Sequence, residues 1–344
     1  MRKAQTLDRG RLRMSNSTVM MNHFNLLKET IERLDLGNKP SQIYNVDETG
    51  FGKGLAAEDR VCVTNTHSHS RQVVTSSHTT ANVCVSGGGK VLPTFVIYEK
   101  SFPSGAYRDG IPGDWLFGTS PNGYMDGELF HKWFKQVFLV HATKERPLLL
   151  IMDNHESHLS LDLVETARDN QVELYCLPPH TTHILQQLDV ALLRPLKKAV
   201  TGLAVSLGYA NPNLIIGKNR FAQVLRTAVD KVFSPYNIKT GFPKCGVCPV
   251  DENAKDKGKL TPCDPEFSQP GPGGDNQSTS ICRPDPLCET CGQFVRGHPL
   301  VTQGLIPAEL ADIFLPIIGT AKKQKSTRIV TTSRVITGEQ QYQI

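Results

Sequence analysis

The chain has 344 residues, of which 39% are hydrophobic, and a formal net charge of +5 at pH 7. Such a chain can bury a large core, but it lacks a run of about 18 apolar residues, so we exclude an integral membrane protein and expect no membrane partner. Nine scattered cysteines indicate reduced thiols and an intracellular location, and the mild positive charge is compatible with nucleic acid without requiring it.

The N-terminal part of the chain is a basic segment followed by a predicted amphipathic helix. Apolar residues recur at helical spacing between residues 15 and 34, and Gly37 is a plausible stop. We assign residues 1–40 to this N-terminal part. The short β-branched run Ile43–Val46 comes next and glycines follow it, which predicts a strand that ends at Asp47.

The middle of the chain alternates between predicted strands and helices. Short β-branched segments between residues 61 and 98 predict an antiparallel meander. Apolar residues at helical spacing predict a helix over Asp126–Phe138. The continuous apolar run Pro147–Met152 is typical of a strand covered on both faces, and it ends at Asp153. Val172–Cys176 predicts another buried strand.

The predicted domain continues to residue 257, where the composition changes. Asp189–Val200 predicts a helix interrupted at Pro195. Over residues 41–257, the elements predict an α/β fold in which a mixed sheet is flanked by helices and carboxylates converge at one edge. We interpret 258–281, rich in Pro, Gly and Ser, as a flexible linker, and 282–344 as a mostly irregular tail with cysteines and a basic cluster.

Three aspartates are the leading candidates for function: Asp47, Asp153 and Asp189. Each lies at the end or edge of an apolar run, where a carboxylate is costly unless it is paired, and a divalent cation is the partner that would require three. Two Mg²⁺ or Mn²⁺ ions about 3.5–4 Å apart can assist both the attacking and the leaving oxygen of a phosphoryl displacement. We hypothesise that Asp47 bridges both ions, that Asp153 holds the first and that Asp189 holds the second.

Other acidic residues compete with these three. Glu48 follows Asp47, but side chains alternate along a strand, so only one of the two can face a shared site. Asp162 and Asp169 compete with Asp189 and are more simply explained as solvated helix charges. Each aspartate taken alone could also be a strand-end or capping residue.

Several polar residues near the aspartates are candidates for supporting roles. A zinc site is one alternative for the histidines, but the sequence has no HExxH order and offers no evident third nitrogen or sulfur ligand. We favour hydrogen bonding to the carboxylates or contact with DNA phosphate, and simple loop capping stays open. The candidates are Asn154, His155, His158, His183 and Lys197.

Several motifs recur together in one known family. They are Ile43–Phe51, Leu92–Tyr98, Asp153–His158 and Leu177–Gln186, followed by Leu188-Asp189-Val190 and Pro195-Leu196-Lys197. On these motifs the sequence resembles the DDE endonuclease domain of pogo-type transposases, the Tigger and jerky relatives, over roughly residues 15 to 250. The 35 residues between Asp153 and Asp189 are similar to the separation in that superfamily.

The resemblance implies both a fold and an activity. The implied fold is ribonuclease-H-like, and the implied activity is Mg²⁺- or Mn²⁺-dependent DNA strand cleavage and transfer through the three aspartates. It also implies DNA as a partner, a nuclear location and a homodimer, since such transposases act on paired ends.

Two departures from the family support a second hypothesis. Gln187 and Ala191 stand where the family usually has proline and glycine around the third aspartate. We also expect that the chain begins too late to contain the family's helix-turn-helix domains. The alternative is therefore a transposon-derived protein that binds nucleic acid or chromatin without cleaving.

The cysteines allow one further metal hypothesis. The sequence has two Cys-x-x-Cys pairs, Cys245 with Cys248 and Cys288 with Cys291. The 39 residues between the pairs exceed the roughly 12–20 residues of ordinary zinc modules. A closer set that could hold a structural zinc is Cys282, Cys288, Cys291 and His298. The basic cluster at 322–328 predicts a nuclear localisation signal, a phosphate contact or a solvated end.

Overall fold

The computed structural model describes Arg11 and residues 14–52, 77–155, 160–210, 217–254 and 333–335. No helix within these ranges is long and apolar enough to cross a membrane. The described strands are β1 (Ile43–Phe51), β2 (Thr79–Ser86), β3 (Phe95–Glu99), β4 (Leu116–Ser120), β5 (Leu148–Met152), β6 (Val172–Cys176) and β7 (Arg334–Val335).

The helices connect these strands and cover the sheet. They are α1 (Ser17–Arg33), α2 (Gly127–Trp133), α3 (Leu139–His141), α4 (Leu161–Asp169), α5 (Thr182–Leu185), α6 (Leu193–Ala210), α7 (Lys218–Val232) and α8 (Pro235–Lys244), with π-helical turns at Phe134–Phe138 and Leu188–Leu192 and a 3-10 turn at Pro40–Gln42.

The strands form one mixed sheet in the order β4-β3-β2-β1-β5-β6-β7. The first three strands are an antiparallel meander, and β5 and β6 join β1 in parallel on its other side. Helix α4 provides the crossover that two adjacent parallel strands such as β5 and β6 require. This topology confirms the predicted α/β fold with a mixed sheet flanked by helices.

The sheet separates two apolar layers. One layer contains the buried faces of α1, α6, α7 and α8, and the other contains α2 and α4. Both faces of β5 and β6 are therefore covered, and all ten of their residues are buried. This burial explains why β5 is a continuous apolar run in the sequence. The one charged residue of β6, Glu173, pairs with Arg33 at 3.1 Å.

Helix α1 forms as its sequence predicts. The Asn16 side chain accepts a hydrogen bond from the backbone N–H of Val19 at 2.9 Å, which caps the first turn. Met20, Phe24 and Ile31 are buried on one face, and they pack in the same layer as α6, α7 and α8.

The first strand is longer than predicted. The prediction that Asp47 ends its strand is wrong, because β1 continues to Phe51 and stays paired with β2 as far as Thr79. The glycines after Asp47 suggested a loop, but Gly50 lies inside the strand against the His78 ring. A Cβ atom at position 50 would lie 2.7 Å from a carbon of that ring, so the glycine permits close packing rather than a turn.

The predicted helix after Asp189 is also different in detail. Its first residues form the π-helical turn Leu188–Leu192, which continues directly into α6. The predicted interruption at Pro195 is wrong, because α6 continues through this residue to Ala210.

Part of the predicted tail contributes to the sheet. Residues 334–335 form β7, which pairs antiparallel with β6. The hydroxyl of Ser333 lies 2.8 Å from Nδ1 of buried His23 in α1. The predicted strands between 61 and 75, the linker 258–281 and the rest of the tail lie outside the described residues.

Candidate active site

Asp47 lies in β1, and Asp153 directly follows β5, the parallel neighbour of β1. Asn45 of β1 is the register partner of Ile151 of β5. Asp47 and Asp153 are each the second residue after that pair, so they extend from equivalent positions. Asp189 lies in the π-helical turn Leu188–Leu192 that precedes α6.

The three aspartates belong to one side of the sheet. Along β1, Ile43 and Phe51 pack in the layer that contains α6, α7 and α8, and strand alternation places Asp47 on that face. Leu188 of the π-helical turn packs in the same layer. Strand alternation places Glu48 on the same face as Tyr44 and Val46, which pack in the opposite layer.

The charges of the three carboxylates interact. Asp47 is half-buried, and burial is the largest cause that raises its carboxyl pKa well above the ordinary value of 3.8. The negative charge of Asp189 is the next cause, followed by Glu48 and Asp153. A hydrogen bond from the backbone N–H of Glu48 to Oδ1 of Asp47, at 2.9 Å, acts in the opposite direction. The arrangement therefore favours a proton or a cation at this carboxylate.

The donor chemistry of this cluster fits a divalent cation. Carboxylate oxygens are the hard ligands that Mg²⁺ and Mn²⁺ prefer, and a cation would neutralise the repulsion between Asp47 and its neighbours. Asp189 is exposed and Asp153 is half-buried. Within the described ranges, no group of three or more His, Cys, Asp or Glu side chains is already arranged to hold a metal ion.

The predicted supporting residues lie in different environments. Asn154 is half-buried and His155 is exposed after β5, and the His155 N–H donates to Oδ1 of Asp153 at 3.2 Å. Nε2 of His183 lies 3.2 Å from the hydroxyl of Ser15, which links α5 to the segment before α1. His158 is outside the described residues.

Lys197 lies exposed on α6, the helix that follows Asp189. Its charge helps to lower the pKa of His78, for which burial is the larger cause and Glu99 acts in the opposite direction. The His78 ring packs against Gly50 near the end of β1, so Lys197 acts electrostatically on this part of the sheet.

The zinc candidates stay untested by the fold. All four residues of the closer set, which are Cys282, Cys288, Cys291 and His298, are outside the described residues. Cys245 is buried and Cys248 is half-buried, and neither forms a disulfide.

Three buried amides near the aspartates were not predicted from the sequence to have a role in the site. Asn45 and Gln186 donate hydrogen bonds to backbone carbonyls of β5 and β1. Gln187 is 1% exposed, and its amide nitrogen and oxygen have no hydrogen-bond partner among the described residues. The available signal was a polar residue beside or within an apolar run, since such residues require a partner when they are buried.

Gln187 packs against Gly241 of α8. A Cβ atom at position 241 would collide with the Gln187 amide and lie 3.1 Å from Cβ of Ala191. The two residues that depart from the family pattern, Gln187 and Ala191, therefore both contact the same glycine. This close approach fixes the π-helical turn against α8.

Replacing Gln187 with methionine should stabilise the protein by about 1 kcal/mol, because the change keeps the volume and removes a buried amide without partners. The matched control is Gln42→Met. Gln42 is 2% exposed and its amide donates to the Pro147 carbonyl at 2.7 Å, so that variant should lose about 1 kcal/mol. Urea unfolding with unchanged m-values measures both effects. Equal losses in the two variants would contradict the assignment of Gln187 as unpaired.

Comparison with known proteins gives the family. Residues 76–242 match the family described as DDE superfamily endonuclease, which includes Asp153 and Asp189. The chain contains a DDE endonuclease domain. It is 29% identical over 110 residues to the human "Pogo transposable element with ZNF domain", covering 32% of this chain and 8% of that protein. These matches confirm the predicted resemblance to pogo-type, transposase-derived proteins.

A second relative is a fungal protein. The chain is 29% identical over 215 residues to "MFS-type transporter clz9" of Cochliobolus lunatus, and the match covers 60% of this chain and 23% of that protein. The chain therefore spans less than a quarter of the length of either relative.

Solved structures of the Mos1 transposase are also similar to this chain. The catalytic domain of Mos1 mariner transposase aligns with a TM-score of 0.39 at 12% identity, over 74% of this chain and 99% of that one. The Mos1 paired-end complex with the left transposon end aligns with a TM-score of 0.42 at 14% identity, over 74% and 65%. The paired-end complex with Mg aligns with a TM-score of 0.41 at 16% identity, over 74% and 66%.

Proposed function

We propose that this DDE domain is a metal-dependent DNA endonuclease that cleaves and transfers strands through Asp47, Asp153 and Asp189. The observation that carries the proposal is that Asp47 and Asp153 follow equivalent register positions of neighbouring strands, while burial and then the charges of Asp189, Glu48 and Asp153 raise the pKa of Asp47. Carboxylates whose negative charges repel one another are typical of a cation site. The endonuclease family of residues 76–242 agrees with this chemistry.

The three aspartates would hold Mg²⁺ or Mn²⁺ between β1, β5 and the π-helical turn. When bound, such ions supply Lewis acidity and an activated water for phosphodiester cleavage. The protein contributes a fixed frame, because Asp47 and Asp153 extend from hydrogen-bonded neighbouring strands. Without the ion, the raised pKa of Asp47 favours a proton on that carboxyl.

Helix α6 offers the DNA contacts. It begins four residues after Asp189 and exposes Arg194, Lys197 and Lys198. Basic side chains next to a carboxylate site can bind the phosphate backbone and hold it near the metal ligands without reading the base sequence. Of these three, only Lys197 was predicted from the sequence.

Cleavage of a supercoiled plasmid tests the proposal. We expect nicked product with Mg²⁺ or Mn²⁺ and none with EDTA. DNA that is bound but stays uncut with either ion would favour the second hypothesis, a transposon-derived protein that binds nucleic acid or chromatin. The observation that favours this alternative is the departure from the family pattern at Gln187 and Ala191, which border Asp189.

Location and assembly follow from the proposed activity. We place the protein in the nucleus, where its DNA substrate lies. Since transposases of this type act on paired ends, we propose a homodimer as the active form.

A further inference from the structure

The side chain of Asn45 joins the three segments that carry the aspartates. Asn45 lies in β1 and is 1% exposed. Its Nδ2 donates to the carbonyl of Ile151 in β5 at 3.1 Å, and its Oδ1 accepts from the backbone N–H of Leu188 at 3.0 Å. One buried amide therefore contacts both β5 and the π-helical turn.

Each of these contacts lies next to an aspartate. Leu188 directly precedes Asp189, whereas Asn45 and Ile151 lie two residues before Asp47 and Asp153. A displacement at any of the three contact points would consequently move a carboxylate.

A second amide reinforces the link. Gln186 is fully buried, and its Nε2 donates to the carbonyl of Val46 in β1 at 2.9 Å. The backbone N–H groups of Gln186 and Val190 bond within their own helical segment, to Thr182 and Gln186. The side chains of Gln186 and Asn45 therefore connect this segment to β1 by hydrogen bonds.

The chemistry of Asn45 suits this position. A primary amide can donate and accept at the same time, so it pairs a carbonyl on one side and an N–H on the other. Strands β1 and β5 are already joined by backbone pairing, but Asp189 is exposed on a turn outside the sheet. The amides of Asn45 and Gln186 therefore connect the turn that carries Asp189 to the sheet.

We propose that Asn45, assisted by Gln186, is a positioning residue that sets Asp189 against Asp47 and Asp153 for metal binding. The metal-binding part of this inference rests on the proposed function. The positioning part concerns the apo protein and can be measured without metal or activity.

The test compares Asn45→Ala with Gln42→Ala. Gln42 makes the same type of bond, from the start of β1 to the Pro147 carbonyl just before β5, at the strand ends far from the aspartates. Hydrogen exchange over residues 188–192 should increase in Asn45→Ala and stay at the wild-type level in Gln42→Ala. The Mn²⁺ affinity and kcat of Asn45→Ala should fall about 10–100-fold, the range for residues that orient metal ligands, with KM for DNA unchanged.

The outcomes separate the two claims. Equal exchange over 188–192 in wild type and Asn45→Ala would overturn the inference, as would equal losses of Mn²⁺ affinity in Asn45→Ala and Gln42→Ala. If wild-type protein neither binds Mn²⁺ nor cleaves DNA, the proposed function fails, and the exchange comparison alone decides whether Asn45 positions the turn.

Discussion

Asp153→Asn should reduce metal-dependent DNA cleavage by about a thousandfold or more and leave the fold intact. The substitution keeps the size of the side chain but replaces a charged ligand with a neutral one. A bound metal contributes several kcal/mol of transition-state stabilisation, and each 1.36 kcal/mol is about a tenfold change in rate. Because Asp153 is half-buried at the end of β5, no core packing is lost. Single-turnover nicking rates at saturating Mg²⁺ measure the effect.

The matched control for this variant is Asp169→Asn. Asp169 is an exposed residue at the end of α4, so the same change in charge should leave the nicking rate close to that of wild type. A near wild-type rate in Asp153→Asn would exclude Asp153 from the active site. Equal losses in both variants would indicate a general charge effect on DNA binding.

The metal-free protein should lose stability as pH rises, and Asp47→Asn should remove most of this dependence. Burial, followed by the charges of Asp189, Glu48 and Asp153, raises the pKa of Asp47 in the folded state above its ordinary value of 3.8. Between the unfolded and folded pKa values, the folded state binds more protons than the unfolded state. The free energy of unfolding therefore falls as pH rises from about 4 through the folded-state pKa, and it is constant above that pKa.

The size of this effect follows from the cost of a partly buried carboxylate that faces other negative charges. We expect Asp47→Asn to be more stable than wild type by about 1–3 kcal/mol at neutral pH in EDTA, and equally stable below the unfolded pKa. Asp189→Asn removes the second-largest cause and should give a smaller gain. Urea unfolding at a series of pH values measures the three curves. Parallel curves for wild type and Asp47→Asn would show that Asp47 does not cause the pH dependence of stability.

The buried strands of the fold could be predicted from local sequence, whereas the extension of β1 could not. Mostly apolar runs located β5 and β6 almost to the residue, because a strand covered on both faces has few polar positions. Glu173 of β6 is the exception, and it is paired with Arg33. The end of β1 depends on Gly50 packing against His78, a contact between residues that are distant in sequence.

The three aspartates of the candidate site could be proposed from the sequence, whereas the amide that contacts the segments around them could not. The residue pattern and the family resemblance indicated Asp47, Asp153 and Asp189 as one group. The role of Asn45 depends on Leu188, which lies 143 positions away in the chain. A single polar residue within an apolar strand shows that a partner is required, but only the fold shows which partner it has.

The central claim is that the three aspartates hold a divalent cation, and a Mn²⁺ titration of thermal stability tests it most directly. The account predicts a saturable rise in Tm for wild type, equivalent to about 2.7 kcal/mol at one hundred times Kd. The rise should be lost in Asp153→Asn and Asp189→Asn and retained in Asp169→Asn. An equal rise in all four proteins, or none in wild type at millimolar Mn²⁺, would contradict the claim.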